Sequence, residues 1–170
     1  NHLFISSGLR YDLLLEKESE SYLRELCRRH VSGRLKVAPE HVDPSVLELM
    51  GKPSFEVYEK FEKRFQRINE ELGKKQFLVN YFVSAHPGSG LDEALSLALY
   101  LVKRRMNPEQ VQDFIPLPMT AAACMYHTGR HPLTGRKVRV SRDPEERRMQ
   151  RALLQHAQPQ NRTLVLEALR

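Results

Sequence analysis

Three apolar segments of this chain run into polar residues rich in proline or glycine, and a helical pattern follows each of them. The segments are residues 34–41, 76–90 and 110–120. Strands and helices that alternate with short connections favour a parallel sheet. Ligands bind beyond the carboxyl ends of the strands in such sheets. The sequence therefore predicts an α/β fold in which three strand ends form one shared site.

Hydrophobic periodicity predicts four strands with helical units between them, followed by a run of short helices. The predicted strands are residues 2–6, 35–39, 77–84 and 111–117. The predicted helices of this core are 17–30, 43–50, 54–72 and 91–106, and the short helices beyond it are 119–127, 144–157 and 161–170. We therefore expect an α/β core over residues 1–118 and a helical extension over residues 119–170.

The net charge of +6 lies in the last quarter of the chain. Residues 1–129 contain 17 Lys/Arg and 17 Asp/Glu, whereas residues 130–170 contain 10 Lys/Arg and 4 Asp/Glu. Such a basic segment either binds an anionic partner such as RNA or forms a solvated helical face. Few aromatic residues accompany these arginines, so base stacking has little support.

Composition also limits where in the cell the protein is expected and which cofactors it could bind by itself. No segment has the ~18 consecutive apolar residues of a membrane span, and no signal-peptide pattern opens the chain, so we expect a cytoplasmic protein. The two cysteines, Cys27 and Cys124, are too few for a disulfide framework or a metal cluster. Cys27 falls on the apolar stripe of a predicted helix and is expected to be a core thiol.

Polar residues at the three strand ends are the candidates for chemistry. Glu40 and His41 follow the first strand, where a carboxylate can accept hydrogen bonds, act as a general base, or only cap the next helix. His86 follows the second strand. It is a stronger candidate than a lone histidine because it is expected to lie at the same edge of the sheet as Glu40 and Asp113. Asp113 stands on the third strand beside Gln112, and a buried carboxylate there needs a partner.

Arg10 or Lys36 is the expected partner of Asp113. No hydrolase or dinucleotide-binding motif is present, and the turn at residues 86–90 lacks the GK[ST] ending of a phosphate loop. These patterns by themselves leave the function open.

Longer stretches of sequence carry a family resemblance. APEHVDPSVLELMGKP (38–53), NYFVSAHPGSGLDEALSLALYL (80–101) and QDFIPLPMT (112–120) resemble the second half of a radical S-adenosylmethionine domain. Closer still is the similarity to the YgiQ-type radical SAM family. It runs through residues 5–12, 30–41, 81–89, 111–122, 125–135 and 150–155, which together span nearly the whole chain.

This resemblance implies a partial parallel (β/α) barrel, truncated at its N-terminus, from an enzyme of unknown substrate. In the superfamily, a 4Fe-4S cluster held by a CxxxCxxC loop cleaves S-adenosylmethionine to a 5′-deoxyadenosyl radical. That motif is absent from this sequence. We therefore expect the cluster loop upstream of Asn1, and a chain that is a fragment without activity of its own.

The resemblance also distributes roles among the candidate residues. Arg10, Lys36 and Glu40 correspond to the ribose or methionine end of S-adenosylmethionine. Asn80, Ser84 and His86 lie nearer the adenine or the substrate, and His41, Gln112 and Asp113 are candidates for the substrate cavity. This sequence has HPGS at residues 86–89 where the family has a PGET-like turn. Hydrogen-bond donors and acceptors in this turn therefore lie at different positions from those in the family. Two alternatives stay open: a binding module that uses residues 130–170, and a non-functional truncation.

Overall fold

The computed structural model of the chain describes residues 3–16, 18–108 and 111–170. Its four strands are β1 (Gly8–Leu9), β2 (Arg34–Glu40), β3 (Phe77–Ser84) and β4 (Gln112–Asp113), and they form one sheet in the order β1-β2-β3-β4. The pairs β1–β2 and β3–β4 are parallel. The α/β class and the parallel sheet expected from the sequence are therefore confirmed.

Seven α-helices accompany these strands in the described part of the chain. They are α1 (Ser19–Glu25), α2 (Pro44–Met50), α3 (Phe55–Glu71), α4 (Leu91–Lys103), α5 (Ala121–Thr128), α6 (Pro144–Leu154) and α7 (Arg162–Ala168). A π-helical turn (Leu26–His30) continues α1, and two 3₁₀ turns cover Leu13–Leu15 and Pro159–Asn161. The helix predicted over 17–30 thus begins at Ser19, and Lys17 lies outside the described residues.

Two predicted strands were wrong in extent. The first strand is Gly8–Leu9 rather than 2–6: residues 3–6 have no regular structure, and residue 2 lies outside the described residues. Gly8 pairs with Lys36 of β2. Pairing with β2, and not the run of apolar residues in the sequence, therefore determines where this strand lies. The fourth strand is limited to two residues rather than 111–117. The segment after Asp113 contains Pro116, which has no backbone N–H and therefore cannot donate a hydrogen bond to a neighbouring strand.

The chain divides into two compact units, of which the first comprises Asn1–Pro39 and Pro53–Tyr81. Its core joins α1 and β2 to the apolar face of α3, whose residues recur at steps of three and four. The fully buried side chains of that face are Tyr58, Phe61, Phe65 and Ile68. Each contributes roughly 1.5–3 kcal/mol by burial, so this face is structural, as its periodicity predicted.

The second unit comprises Glu40–Lys52 and Phe82–Arg170. Its core includes Phe82 of β3, Leu97 and Leu101 of α4, and Leu153 and Leu154 of α6. The expected division at residue 118 falls inside this unit, so the end of the sheet and the basic extension share one hydrophobic core. Among the described residues, no helix has the length and hydrophobicity needed to cross a membrane.

Candidate functional site

A cavity of about 410 Å³ lies at the carboxyl ends of the strands in the second unit. Its size is that of a small-molecule pocket. The polar residues that line it are Glu40, Lys52, His86, Gln112, Asp113 and Thr120. The apolar ones are Met50, Val83, Phe114, Ile115, Leu117 and Ala122. The three strand ends singled out in the sequence therefore meet at one pocket, through Glu40, His86 and Asp113.

Residues other than glycine adopt the left-handed conformation at the ends of β2 and β3 and in the segment six residues after β4, and also at Arg105 (φ 53°), just beyond α4. Glu40 (φ 69°), Ala85 (φ 57°) and Met119 (φ 65°) adopt the left-handed conformation that side chains other than glycine disfavour. Glu40 ends β2, Ala85 follows β3, and Met119 lies in the segment after β4. Strained residues of this kind cost about 1–3 kcal/mol each and concentrate at functional sites.

Glu40 pairs with Lys52 at the cavity wall, and the two charged groups are 3.3 Å apart. Burial raises the pKa of the Glu40 carboxyl, while Lys52 acts in the opposite direction. The alternative role as a helix cap belongs to another residue. The Asp43 Oδ1 atom accepts the backbone N–H groups of Ser45 and Val46 at the start of α2. Glu40 is therefore available for a role in the cavity.

Two buried histidines follow β2 and β3. His41 accepts the backbone N–H of Asp43 through Nδ1 at 3.0 Å. The pKa of His41 is lowered to about 4, chiefly by burial; the nearby Asp43 opposes this shift, and the nearby His86 adds to it. His86 lines the cavity, contacts the Phe114 ring edge-to-face at 5.0 Å, and has a pKa lowered by burial. Both rings are therefore neutral at pH 7.

Asp113 is held from two sides. One carboxylate oxygen accepts the buried Ser84 hydroxyl at 2.5 Å, and the other is 2.9 Å from Arg151 Nη1 on α6. The sequence predicted a cationic partner, but Arg10 and Lys36 were the wrong residues for it. Arg10 pairs with its neighbour Asp12. Arg151 comes 38 residues after Asp113, so no local pattern could indicate this pairing.

The loop between β3 and α4 is tied to α6 by Gln150, which sequence reasoning missed. Gln150 is fully buried, and its Oε1 accepts the Ala85 backbone N–H and the Ser89 hydroxyl, both at 3.0 Å. Its amide nitrogen donates to the Ser141 hydroxyl at 2.8 Å. An uncharged polar residue on the apolar face of a predicted helix, beside Leu153 and Leu154, was the available signal.

Three consecutive backbone N–H groups of this loop, those of residues 88–90, are occupied within the protein. The Gly88 N–H donates to the Arg139 carbonyl at 2.8 Å, and the Gly90 N–H donates to Glu93 Oε2 at 2.7 Å. The Ser89 N–H donates to the His86 carbonyl. The loop therefore does not offer the row of open amides that a phosphate loop presents.

Three predicted site residues belong to the first unit. Asn80 accepts the Tyr58 hydroxyl at 3.0 Å, Arg10 forms its exposed pair with Asp12, and Lys36 is half-buried in β2. His41 of the second unit is buried and is not among the residues that line the cavity. The cavity thus brings together Glu40, His86, Gln112 and Asp113 of the nine candidates.

The cysteines do not fit an iron–sulfur cluster. Such clusters are held by about four thiolates, whereas this sequence has two cysteines. Cys27 lies in the core of the first unit, where burial raises its pKa to about 11, and Cys124 is half-buried in α5 of the second. Across the described ranges, no group of three His, Cys, Asp or Glu residues could hold a metal ion.

Comparisons with known proteins match this chain to one domain family and to UPF0313 proteins. Residues 109–170 match a family described as a domain of unknown function, DUF3362. UPF0313 proteins match nearly all of the chain. The one from Methanocella arvoryzae is 52% identical over 168 residues, 99% of this chain and 28% of its own length. The one from Clostridium perfringens is 50% identical over 98% of this chain and 25% of its own length.

A third UPF0313 protein, from Methanosarcina mazei, is 50% identical over 99% of this chain and 26% of its own length. The chain therefore spans about a quarter of the length of the relatives that it matches. The homologues named UPF0313 and the DUF3362 segment fit the YgiQ-type resemblance seen in the sequence.

Proposed function

We propose that this chain is the S-adenosylmethionine-binding second half of the radical SAM domain of a YgiQ-type enzyme, together with the helical extension that follows it, and that the domain is folded as part of a (β/α) barrel. The observation that carries this proposal is the cavity at the ends of β2, β3 and β4, which gathers Glu40, His86 and Asp113. Ligands bind at this edge of parallel sheets. The match to UPF0313 proteins over nearly the whole chain supports the assignment.

The donor set of the cavity suits the charged end of S-adenosylmethionine. That end carries an ammonium and a carboxylate, and Glu40 with Lys52 offers the complementary pair of charges. In the bound state, the ammonium replaces Lys52 as the partner of Glu40, and Lys52 meets the ligand carboxylate. A charge-assisted hydrogen bond at a half-buried site is stronger than a neutral one.

The apolar wall suits the adenosyl part of the ligand. Val83, Phe114 and Ile115 line the same cavity as Glu40 and Asp113. A flat base excludes water from such a wall, while Asp113 and His86 accept hydrogen bonds from ligand N–H or O–H groups. Ser84 acts through Asp113, because its hydroxyl fixes one carboxylate oxygen.

The iron–sulfur cluster belongs to the remainder of the longer protein, since this chain does not supply its ligands. In the proposed enzyme, that cluster supplies the electron for reductive cleavage of S-adenosylmethionine. The residues of this chain bind and orient the ligand and exclude water from it. The whole protein acts in the cytoplasm on a substrate that the cavity does not identify.

Calorimetric titration of S-adenosylmethionine into the purified chain tests the binding role. We expect saturable 1:1 binding, and competition by S-adenosylhomocysteine, which shares the adenosyl and amino-acid parts. Methionine at the same concentration should compete weakly. A complete lack of binding to the folded chain, together with a lack of binding to the full-length Methanocella arvoryzae relative, would contradict the proposal.

The radical reaction is tested on that full-length relative, purified without oxygen and supplied with iron, sulfide and dithionite. Release of 5′-deoxyadenosine from S-adenosylmethionine is the expected result. Absence of a CxxxCxxC motif from the relative, or absence of this product from a cluster-loaded sample, would contradict the proposed radical reaction. Either result would still be compatible with binding of S-adenosylmethionine by this chain.

A second candidate function is RNA binding by the basic extension. Residues 130–170 contain 10 Lys/Arg and 4 Asp/Glu, and five of the basic residues precede the first of these acidic ones: Arg130, Arg136, Lys137, Arg139 and Arg142. Several are engaged within the protein, since Arg139 pairs with Glu146 and Arg142 donates to the Tyr126 and His127 carbonyls at the end of α5. RNA affinity that falls steeply with salt and does not require S-adenosylmethionine would favour this candidate.

A further inference from the structure

The turn after β3 has a backbone that leaves little freedom for His86. The Ser89 N–H donates to the His86 carbonyl at 2.8 Å, which closes a four-residue turn. Pro87 occupies its second position and Gly88, with φ 96°, its third. Proline followed by a residue with positive φ is the signature of a type II turn, and glycine accepts that φ without strain.

The tautomer of His86 follows from its contact with this turn. Nδ1 lies 2.8 Å from the Pro87 carbonyl oxygen, which can only accept a hydrogen bond. Nδ1 therefore carries the proton in the neutral ring, and Nε2 carries the lone pair. Within the described part of the chain, Nε2 has no hydrogen-bond partner. Because His86 lines the cavity, Nε2 is the ring nitrogen open to a ligand.

Gln150 holds both ends of the segment that contains His86. Its Oε1 accepts the N–H of Ala85, immediately before His86, and the hydroxyl of Ser89, at the end of the turn. Its amide nitrogen contacts the Ser89 carbonyl at 3.2 Å and the Ser141 hydroxyl at 2.8 Å. Ser141 in turn donates to that same carbonyl at 2.9 Å.

This arrangement also holds the strained conformation of Ala85. A left-handed alanine persists only where its surroundings determine it, and its N–H is fixed by the buried Gln150. Gln150 is anchored in α6, whose Leu153 and Leu154 pack in the core with Phe82 and Leu97. The matched segment of residues 109–170 thus connects the hydrophobic core of the second unit to the β3–α4 loop through Gln150.

We propose that His86 meets the cavity as a neutral hydrogen-bond acceptor through Nε2, and that Gln150 is the residue that positions it. The ligand group placed at His86 must then carry an N–H or O–H donor, such as an amine or a hydroxyl. The inference rests on the proposed function in taking the cavity as a ligand site. It gives residues 139–150 of the DUF3362 segment a defined role, which is to present His86.

The state of the ring is tested directly by nitrogen NMR of the ¹⁵N-labelled chain, in which long-range proton correlations distinguish the two neutral tautomers. His86→Asn identifies the His86 signals. We expect the wild-type ring at pH 7.5 to carry its proton on Nδ1 alone. A proton on Nε2 would overturn the proposal, whether or not S-adenosylmethionine binds.

Gln150→Met tests the positioning role, because methionine has a similar length and lacks the hydrogen-bonding groups. We expect His86 to populate both tautomers in this variant. The affinity of the variant chain for S-adenosylmethionine should fall about tenfold, which corresponds to the free energy of about one hydrogen bond. Arg148→Ala is the matched control on α6, since Arg148 is exposed and pairs with Glu145. It should change neither quantity. An unchanged tautomer and affinity in folded Gln150→Met would overturn the positioning role.

Ser89→Ala provides a milder variant in case Gln150→Met does not fold. It removes one of the two groups that Gln150 Oε1 accepts and leaves the Ala85 contact. We expect a measurable admixture of the second tautomer, and a wild-type ratio in this variant would count against the proposal. If the wild-type chain has the expected tautomer and binds no S-adenosylmethionine, the proposed function fails while the assignment of His86 stands.

Discussion

Arg151 Nη1 lies 2.9 Å from Asp113 Oδ2, an ion pair that joins α6 of the basic extension to the end of β4. The other Asp113 oxygen accepts the Ser84 hydroxyl of β3. One carboxylate at the cavity therefore connects two neighbouring strands and a helix from the far end of the sequence. The extension is part of the structure around the cavity.

The Asp113–Arg151 pair should contribute little to stability. Its side chains are 35% and 49% exposed, so solvent screens the attraction. We expect Arg151→Ala to lower the free energy of unfolding by about 0.5 kcal/mol in urea titrations. A double-mutant cycle with Asp113→Asn should give a coupling energy below about 1 kcal/mol. A coupling of several kcal/mol would mean that the pair is buried in solution.

Glu40→Gln should separate the binding role of this carboxylate from a structural one. We expect affinity for S-adenosylmethionine to fall about tenfold, because the variant loses the charge that meets the ligand ammonium. The free energy of unfolding should change by less than about 1 kcal/mol, since burial of Glu40 offsets its attraction to Lys52. Calorimetry and urea titration measure the two quantities.

Glu48→Gln is the control for this variant, because Glu48 is an exposed glutamate of the same segment, paired with Arg136. It should leave affinity and stability unchanged. Unaltered affinity in Glu40→Gln with a clear loss of stability would return Glu40 to a structural role.

His41 should make the chain less stable in mild acid. Its folded-state pKa is about 4, below the 6.5 of an unperturbed histidine, because burial disfavours the charged ring. The unfolded chain therefore binds the additional proton between these values. The contribution is fully present above pH 6.5 and declines as pH falls toward 4, by about 3 kcal/mol in total.

Urea titrations of wild type and His41→Gln at a series of pH values measure this effect. The difference between the two stabilities should shrink as pH falls from 6.5 to 4. His127→Gln, which replaces an exposed histidine of α5, is the control and should keep the wild-type profile. A pH-independent difference between wild type and His41→Gln would show that His41 is charged when folded, or is accessible to solvent.

Gly88→Ala should destabilise the chain through both backbone strain and a steric clash. An added Cβ would lie 2.4 Å from Leu49 Cδ1, and φ at this position is 96°. Gly135→Ala shares the positive φ but meets nothing within 4 Å. Because the nearest atom is the end of the half-buried Leu49 side chain, which can rotate away in part, we expect a loss of about 1 kcal/mol at Gly135 and of about 1–3 kcal/mol at Gly88. Equal losses in thermal or urea unfolding would exclude the contact with Leu49.

The two thiols should differ in reactivity. Cys27 is fully buried and its pKa is raised to about 11, whereas Cys124 is half-buried. Because the thiolate is the reactive form, iodoacetamide at pH 8 should modify Cys124 and spare Cys27 in the folded chain. Peptide mass spectrometry identifies the modified residue, and both should react in urea. Modification of Cys27 at the rate of Cys124 would show that the π-helical turn after α1 opens readily.

Much of the fold could be predicted because local patterns determine it. The apolar face of α3 and the buried alternation of β2 follow from helix and strand periods, and Asp43-Pro44 sets the start of α2. The location of the cavity followed from the parallel topology. The first strand was misplaced because Leu3 and Phe4 are exposed, and pairing with β2 selects Gly8–Leu9 instead.

The candidate site was predicted in part. Glu40, His86, Gln112 and Asp113 line the cavity, because each follows or ends a strand at the same edge of the sheet. Gln150 and Arg151 were missed, since their contacts with Ala85 and Asp113 span 65 and 38 positions along the chain. The sequence preserves no periodicity over such separations.

The sequence by itself determined the α/β class, the edge of the sheet where polar residues collect, and the resemblance to radical SAM proteins. These depend on spacing within single elements and on stretches of residues read in order. Only the tertiary structure decided which groups hold Asp113, the tautomer of His86, and the role of α6 as a support for the β3–α4 loop. Those outcomes depend on distances of about 3 Å between groups remote in sequence, which chain folding alone establishes.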